Sequence, residues 1–450
     1  MNKLIIIILL SATWLSVLKA QDEIPKSFSL KDAQDYAISH NKNVQNASLD
    51  VQIAQKKIWE TTAIGLPQAS ATVGHNYFLE LPQTPIPAKM FNPAAADGDI
   101  FYAQFGTENS TKMDFQVSQL IFSGEYIVGL KASKIYKQLS LNQLTKTEID
   151  IKESIANTYQ LVLVAEERLR IIDSNLIKTQ ELFNETEAMQ IAGFSELTDV
   201  QQIKINLSRL TNARLAAERN IEVAKNLLKF QMDIPLENQI DLSDNLEGLL
   251  NQFDYKIIEN QSFDNTQHID YQMLETQKQL QHLNFQREKT TFLPTLSGFY
   301  SYSKQLQAND FMVFDNDAYW SNSSLVGLSL QIPVFSSGQR LSKVGQAKIE
   351  YEKASNQLSM VEENLNMQVL SARNAFKNAY DNYLLEKDNK ELSEEIFDNY
   401  HTKYKNGMAS SFELTQSQMQ YLNTENAYFQ AIFDLLDAKI KLDKALGILN

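Results

Sequence analysis

The fold is decided by residues 124–193, which read GEYIVGLKASKIYKQLSLNQLTKTEIDIKESIANTYQLVLVAEERLRIIDSNLIKTQELFNETEAMQIAG. This run lies between Gly124 and Gly193 and contains no proline, the residue that breaks helix interiors. A second proline-free run lies between Gly338 and Gly407, and both pairs of glycines are 69 residues apart. At 1.5 Å per residue, each run predicts one helix about 100 Å long. Two matched rods of this length favour a protein that bridges distance over a compact enzyme.

Each rod carries the apolar spacing of a coiled coil, with apolar residues recurring every three or four positions. The first rod has Ile151, Ile155, Tyr159, Val162, Ala165, Leu169, Ile172 and Leu176, and the second has Val361, Leu365, Val369, Ala372, Phe376 and Tyr383. A shorter helix is predicted after each closing glycine, at about 198–230 and 412–446. Each glycine turn therefore predicts the end of a long helical hairpin.

Four segments alternate apolar and polar residues, which is the periodicity of β-strands. They lie at about residues 68–82, 110–122, 295–307 and 321–335. Helices predicted at 30–64 and 268–292 lead into the first and third strands through Leu66-Pro67 and Leu293-Pro294. The proline-rich and glycine-containing segment 82–109 and the polar segment 308–320 predict loops.

This order of helices, strands and loops occurs twice in the chain. At an offset of 214 residues, Lys134-Ile135 recurs as Lys348-Ile349, and Gly193 recurs as Gly407. Before the hairpins the offset is 227, which carries Pro67 onto Pro294 and confines the length difference to the proline-rich loop. The predicted organisation is a signal peptide at 1–20, a first repeat at 21–232, a linker at 233–266 and a second repeat at 267–450.

The first twenty residues predict a secretory signal peptide, with Lys3 before an apolar run and Ala20 as a small residue at the cleavage site. An uncleaved anchor is the alternative. The chain has no cysteine, which excludes disulfides and thiolate metal sites. It carries 41 basic and 55 acidic residues, a balance that disfavours nucleic acid as a partner.

Catalytic and metal-binding interpretations find little support in the sequence. The histidines are scattered and none forms a pair at ligand spacing on one helix: they are His40, His75, His268, His282 and His401. No glycine-rich phosphate loop, nucleophile elbow or zinc-binding helix motif is present. We therefore predict that the protein is not an enzyme and has no catalytic residues, bound metal or cofactor.

The strands leave two interpretations open. Alternating strands of about ten residues in an exported protein are able to cross an outer membrane as part of a β-barrel. The alternative is a four-stranded sheet packed on the helices of a soluble protein. Four strands are too few to close a barrel, for which about eight are needed. A membrane barrel would thus require several copies of the chain.

The order of elements in each repeat resembles that of the TolC-like outer-membrane efflux proteins. Each repeat has a helix, a Leu-Pro corner, two strands, a Phe-Ser-Gly or Phe-Ser-Ser-Gly corner, and a helical hairpin with a glycine at its end. The TolC-like proteins are the outer-membrane channels of tripartite efflux and type I secretion systems. The corner residues that carry the resemblance are Pro67, Gly124, Pro294 and Gly338. It covers nearly all of the chain beyond the predicted signal peptide.

The resemblance implies a mainly α-helical protein with a membrane β-barrel. Three chains would share a 12-stranded β-barrel, and their coiled-coil hairpins would form a trimeric α-barrel that extends from the outer membrane into the periplasm of a Gram-negative bacterium. The implied partners are two further copies of the chain, outer-membrane lipid, a periplasmic adaptor (membrane fusion protein), and an inner-membrane RND or ABC transporter. The hairpin tips at Gly193, Phe194, Gly407 and Met408 would dock the adaptor.

The family also implies a periplasmic gate at the tips. Glu413 would lie in a ring of acidic residues that narrows the entrance, and Tyr404 and Asp199 would form a polar link between neighbouring hairpins. Ala409 stands where a basic link residue is expected, and Gln416 replaces a second acidic ring, so the latch departs from the family pattern. The alternative is that these are ordinary solvated residues at helix ends.

The sequence thus predicts a passive outer-membrane exit duct that conducts substrates delivered by an inner-membrane pump. The alternative is a secreted or periplasmic coiled-coil scaffold or adhesin without a pore. The four alternating strands and their Leu-Pro corners favour the duct.

Overall fold

A computed structural model describes residues 25–251 and 262–449. The predicted signal peptide and residues 252–261 of the predicted linker lie outside this range. The helices of the described chain are α1 (Leu30–His40), α2 (Lys42–Ala63), α3 (Gly124–Ile191), α4 (Leu197–Gln231), α5 (Leu246–Asn251), α6 (Ile269–Thr290), α7 (Gln339–Lys405) and α8 (Ser411–Ala445). The strands are β1 (Ser27–Phe28), β2 (Gln68–Tyr77), β3 (Gln83–Pro87), β4 (Ile100–Gln104), β5 (Asn109–Phe122), β6 (Asp241–Leu242), β7 (Thr295–Ala308) and β8 (Trp320–Gln331).

The two rods are confirmed as single helices. α3 contains 68 residues and α7 contains 67, and each is followed by a 35-residue helix, α4 or α8. Predicted seam residues such as Ile155, Tyr159 and Phe376 are buried. Within residues 25–251 and 262–449, no helix combines the length and the hydropathy that a membrane span requires.

The first compact unit takes its described residues from Met1–Gln45, Thr147–Asp264 and Leu365–Asn450. One of its cores surrounds the fully buried ring of Tyr159, which packs with Phe28, Leu228 and Met232. The Tyr159 hydroxyl donates to the carbonyl oxygen of Phe28, at 2.9 Å, and lies 3.0 Å from a carboxylate oxygen of Asp244. Burial raises the pKa of this hydroxyl. These bonds fasten the segment after β6 to the long helix α3.

The single helix predicted at 30–64 is wrong, because the chain forms α1 and α2 with a break at Asn41. Asn41 has extended backbone angles, φ −60° and ψ 131°. Its side-chain oxygen accepts from the backbone N–H of Asn43 at 2.8 Å, and its amide donates to the carbonyl oxygen of Gln231 at 2.7 Å. The asparagine therefore ends one helix and caps the next, a role that apolar spacing alone does not reveal.

The second compact unit consists of residues Asn46–Lys146 and Asn265–Asn364. Its centre is a four-stranded antiparallel sheet in the order β2-β5-β7-β8. The register pairs Ala71 with Phe115, Phe115 with Tyr302 and Tyr302 with Ser324. The strands predicted from alternation are therefore all present and lie side by side.

Two strand ends and one loop differ from prediction. The first strand stops at Tyr77 rather than residue 82, because its ladder with β5 ends at the pair Tyr77–Asn109. The last strand stops at Gln331 rather than 335, because its partner β7 begins at Thr295, the residue that pairs with Gln331. The predicted loop 82–109 contains the two-stranded hairpin β3–β4, in which prolines are tolerated because both strands are edges.

The compact units do not follow the predicted repeat boundaries, since each unit takes residues from both repeats. The boundaries at 21–232 and 267–450 stay a prediction. They describe how the sequence is duplicated, whereas the units describe which segments pack together.

Candidate functional site

The four-stranded sheet has one mainly apolar face and one mainly polar face. Paired residues share a face, so the register places Val73, Phe115, Val117, Tyr300, Tyr302, Val326, Leu328 and Leu330 on the first. The second face carries Ser70, Thr72, Gln116, Ser301, Ser303 and Ser323. The apolar side chains are exposed, with Val326 at 77% and Leu328 at 73%. A large exposed apolar surface of this kind marks a site for a membrane or a protein partner.

The sheet also has two open edges. β2 pairs only with β5, and β8 pairs only with β7, within residues 25–251 and 262–449. The outer edges of β2 and β8 therefore present unpaired backbone groups, which are a template for another strand.

The predicted corner residues lie where the helices of this unit meet the sheet. Pro67 and Pro294 stand immediately before β2 and β7. The two equivalent glycines serve different purposes. Gly338 has a φ of +83°, a conformation that side chains disfavour. Gly124 begins α3, and a Cβ there would lie 2.7 Å from Thr290, so this glycine permits close packing on α6.

The two hairpin tips in the first unit have the same backbone geometry. Gly193 and Gly407 have φ values of +81° and +71°. At each tip the N–H of the residue after the glycine bonds back to a carbonyl five positions earlier, Phe194 to Met189 and Met408 to Lys403, both at 2.8 Å. This is the Schellman helix end, which requires glycine at the turn. The side chains of Phe194 and Met408 are 86% and 70% exposed.

A capping box follows each tip and contains one of the predicted gate acids. Glu413 accepts from the backbone N–H and the hydroxyl of Ser410, at 2.8 and 2.9 Å, and these bonds lower the pKa of this exposed carboxyl. Asp199 accepts from the N–H of Glu196 at 3.0 Å and the hydroxyl of Ser195 at 2.9 Å. In both repeats the acid occupies the third position of the helix and accepts from the backbone N–H of the cap residue that precedes the helix.

Asp199 also reaches the other hairpin, where it accepts a bond from the hydroxyl of Ser411. Burial alone would raise the pKa of Asp199, but the hydrogen bonds from Ser411, Glu196 and Ser195 outweigh it and lower the pKa. Glu413 has no partner of this kind among the described residues and lies on the surface. The two acids are thus equivalent in the backbone but not in their contacts.

Tyr404 and Asp199 do not bond to each other within the chain. Tyr404 is buried, and its hydroxyl donates to the hydroxyl of Thr186 at 3.2 Å. Tyr404 therefore links α7 to α3 through Thr186, whereas Asp199 links α4 to α8 through Ser411. The physical reason is that the Tyr404 ring packs into an apolar cluster with Leu182, Phe397 and Leu414, which holds its hydroxyl at Thr186. The role of Tyr404, Asp199 and Glu413 in a gate stays a prediction.

Sequence reasoning missed a set of buried polar side chains between the two hairpins, which we call the polar seam: Asn175, Thr179, Asn206, Thr415, Gln418 and Glu425. The amide of Gln418 donates to Thr179 at 2.7 Å, and Asn206 donates to Gln418 at 3.3 Å and to Thr415 at 3.4 Å. The signal was present in the spacing of α8, where Gln418, Tyr421 and Glu425 recur every three or four residues as core positions do.

Glu425 is the one carboxyl of the polar seam. Its oxygens accept from the Tyr421 hydroxyl at 2.9 Å and the Asn175 amide at 3.2 Å. Burial raises the pKa of Glu425, and these two donors oppose the effect only in part. Across residues 25–251 and 262–449, no group of three or more His, Cys, Asp or Glu side chains is arranged to hold a metal ion.

Comparison with protein families matches residues 270–448 to the model described as "Outer membrane efflux protein". The resemblance predicted from the corners and hairpins is thereby confirmed over residues 270–448. No curated protein matches the sequence.

Several solved structures share the fold. The CusC structure, whose description refers to transmembrane channel formation, superposes with a TM-score of 0.70 and 15% identity over 93% of this chain and 92% of that one. The outer membrane protein VceC of Vibrio cholerae gives 0.68 and 14% over 93% and 96%, and the open-state MtrE channel of Neisseria gonorrhoeae gives 0.70 and 16% over 93% and 88%. At these identities the similarity shows the fold alone, and the predicted fold class of long helical hairpins and strands is confirmed.

Proposed function

Because residues 270–448 match the model described as "Outer membrane efflux protein", we propose that this chain forms an exit duct through the outer membrane. The duct works passively in a tripartite efflux or type I secretion system. It receives substrates from an inner-membrane RND or ABC transporter and conducts them out of the cell.

The observation that carries this proposal is the amphipathic sheet with two open edges. Its exposed apolar face is stable against lipid, and its polar face is suited to line a water-filled lumen. Backbone groups in a bilayer must all be paired, so the edges of β2 and β8 require strands from other copies. Three copies bring twelve strands, enough to close a barrel with an open interior.

The hairpins supply the periplasmic part of the duct. Helices α3 and α7 differ by one residue in length, which suits them to stand side by side as staves of equal height. The exposed side chains of Phe194 and Met408, at rigid glycine turns, offer apolar anchors for a periplasmic adaptor.

The tips also supply the entrance. Tyr404–Thr186 and Asp199–Ser411 join the hairpins of one chain and hold them together in this conformation. Ala409 and Gln416 stand in place of a basic residue and an acid that would help to hold the entrance closed. The hydrogen bonds of the polar seam supply part of the missing attraction between the hairpins. Glu413 projects into solvent beside these links and contributes negative charge at the mouth.

The proposal is tested by cell fractionation followed by planar bilayer recording. The protein should purify with outer membranes as a heat-sensitive trimer and form cation-preferring pores in a bilayer. Glu413→Ala should lower the cation preference and Glu413→Lys should reverse or abolish it, because the ring charge changes sign. A soluble periplasmic monomer would support the pore-free scaffold instead, and unchanged selectivity in both variants would remove Glu413 from the entrance.

A further inference from the structure

The helix ends next to the four-stranded sheet carry an excess of basic residues, although the whole chain has a formal net charge of −14. We call the segments 55–67, 124–140, 280–293 and 338–349 the collar. They contain ten basic residues and three acidic ones. The basic residues are Lys56, Lys57, Lys131, Lys134, Lys137, Arg287, Lys289, Arg340, Lys343 and Lys348. The excess positive charge is therefore concentrated at one end of the sheet.

Most of the basic side chains of the collar are not paired with an acidic side chain in the described part of the chain. Lys57 and Arg287 pair with the acidic neighbours Glu60 and Glu288, at 2.8 and 2.9 Å, and Lys348 lies 3.6 Å from an acid on α7. Six collar residues form no ion pair or hydrogen bond through their side chains with the described part of the chain. They are Lys56, Lys131, Lys134, Lys137, Arg340 and Lys343.

The collar also borders a groove of about 430 Å³ between α2, α3 and α6. Its lining includes the apolar side chains of Ile53, Tyr136 and Leu283 and the basic side chains of Lys57 and Arg287. A lining that combines apolar and basic side chains matches a lipid, whose acyl chain is apolar and whose phosphate is anionic.

The opposite end of the sheet has the opposite charge. The connecting segments 78–108 and 309–319 contain seven acidic residues and one basic residue. The four strands between carry only Lys112, Asp114 and Lys304 as charged residues. The sheet therefore separates a basic end from an acidic end across an almost uncharged span, as a membrane-embedded segment between two different surfaces would.

We propose that the collar binds the phosphate head groups of anionic phospholipids in the leaflet that faces the helices. This inference rests on the proposed function, since it requires the sheet to lie in a bilayer. Basic residues beside an anionic leaflet strengthen attachment several-fold each, and the effect is screened by salt. The collar would fix the depth of the sheet and favour insertion with the helices on one side.

The test uses purified full-length protein in detergent, titrated with phosphatidylglycerol or phosphatidylcholine and followed by native mass spectrometry. The wild type should retain phosphatidylglycerol in preference to phosphatidylcholine, and added salt should weaken the preference. The combined variant Lys131→Gln, Lys134→Gln and Lys343→Gln should lose about tenfold or more in affinity for phosphatidylglycerol. The matched control changes three exposed lysines of the other unit, Lys178, Lys204 and Lys387, to Gln and should stay within about twofold of the wild type.

Each other outcome has a defined meaning. Equal phosphatidylglycerol affinity in the wild type and the collar variant would overturn the proposal. Displacement of the lipid by an equal concentration of inorganic phosphate would also overturn it, because this would indicate a site for free anions. Loss of the trimer in the collar variant with its lipid preference intact would overturn it too, because this would indicate a surface between chains. A membrane trimer without lipid preference would overturn the collar alone, whereas a soluble monomer would overturn the duct and the collar together.

Discussion

The two halves of α8 pack against the other helices of the first unit with different chemistry. The half that follows the tip buries Thr415, Gln418 and Glu425, which form hydrogen bonds to α3 and α4. The half that follows Phe429 buries Ile432, Leu435, Leu436 and Leu442 in two apolar clusters. Near the tip, α8 thus buries polar side chains beside the apolar cluster that contains Leu414, whereas farther from the tip its buried contacts are mainly apolar.

The difference determines how much free energy each part of the unit would lose if it opened to water. An apolar contact loses its full hydrophobic free energy when it opens to water. A neutral hydrogen bond that opens to water is replaced by a bond to water, so its net contribution is only about 0.5–1.5 kcal/mol. The hydrogen bonds of the polar seam therefore hold the hairpins in register, and breaking them costs little free energy. The apolar clusters keep the remainder of the unit closed.

The largest expected effect is in the apolar half. Leu436→Ala removes a fully buried side chain that packs with Val164 and Ile432, and should lower stability by about 3 kcal/mol. Thermal unfolding of the purified protein measures the loss. Leu392→Ala, at a residue of α7 that is 59% exposed, is the control and should change stability little. Equal losses of stability at both positions would show that the buried packing of Leu436 is not what stabilises this half of α8.

The next effect concerns the carboxyl of the polar seam and depends on pH. Burial raises the pKa of Glu425 above the ordinary carboxyl value of 4.5. The folded chain therefore binds this proton more tightly than the unfolded chain, and stability falls as pH rises from 4.5 through the folded pKa. Glu425→Gln removes the titration and should be more stable than the wild type at pH 8, by roughly 1 kcal/mol, with the difference vanishing at acid pH.

Melting temperatures of the wild type and Glu425→Gln between pH 4.5 and 8 test this sign. Glu395→Gln, an exposed acid of α7, serves as the control. A variant that is less stable than the wild type at pH 8 would show that the Tyr421 and Asn175 bonds stabilise the ionised form more than burial opposes it.

A smaller effect is expected at the bond between Tyr404 and Thr186, at the end of the polar surface. Tyr404→Phe and Thr186→Val should each cost about 1 kcal/mol, because each leaves the other buried hydroxyl without its partner. The double variant should cost less than the sum, since the second change removes the unpaired group. If the bond helps to close the entrance, both single variants should also raise pore conductance. Additive losses would show that the two hydroxyls do not interact.

The sequence predicted the hairpins, the tip glycines and the four strands because each depends on local pattern. Proline-free heptads specify α3 and α7, and alternation of apolar and polar residues specifies β2, β5, β7 and β8. The pairing of side chains across helices could not be predicted in the same way. The partners of Tyr404 and Asp199 lie 218 and 212 residues away, and they depend on how four helices are rotated about their axes. Apolar periodicity shows which face of a helix is buried but not its exact rotation. Several polar residues on that face could then reach the same partner, so the pairing is not determined.

The smallest expected effect is at the capping box that begins α8. Ser410→Ala removes the hydroxyl that accepts from the N–H of Glu413 and should cost about 0.5–1 kcal/mol, with fraying of the first turn of α8. The pKa of Glu413 is lowered by its bonds from Ser410, so the contribution of this acid is present above the ordinary carboxyl pKa and is lost as pH falls through the folded value. Hydrogen exchange of the Glu413 and Leu414 amides should therefore accelerate in Ser410→Ala at neutral pH and in the wild type under acid conditions, after correction for the intrinsic rate. The amides around Leu436 should keep their protection in both cases, because Leu436 packs in a cluster whose buried members are all apolar.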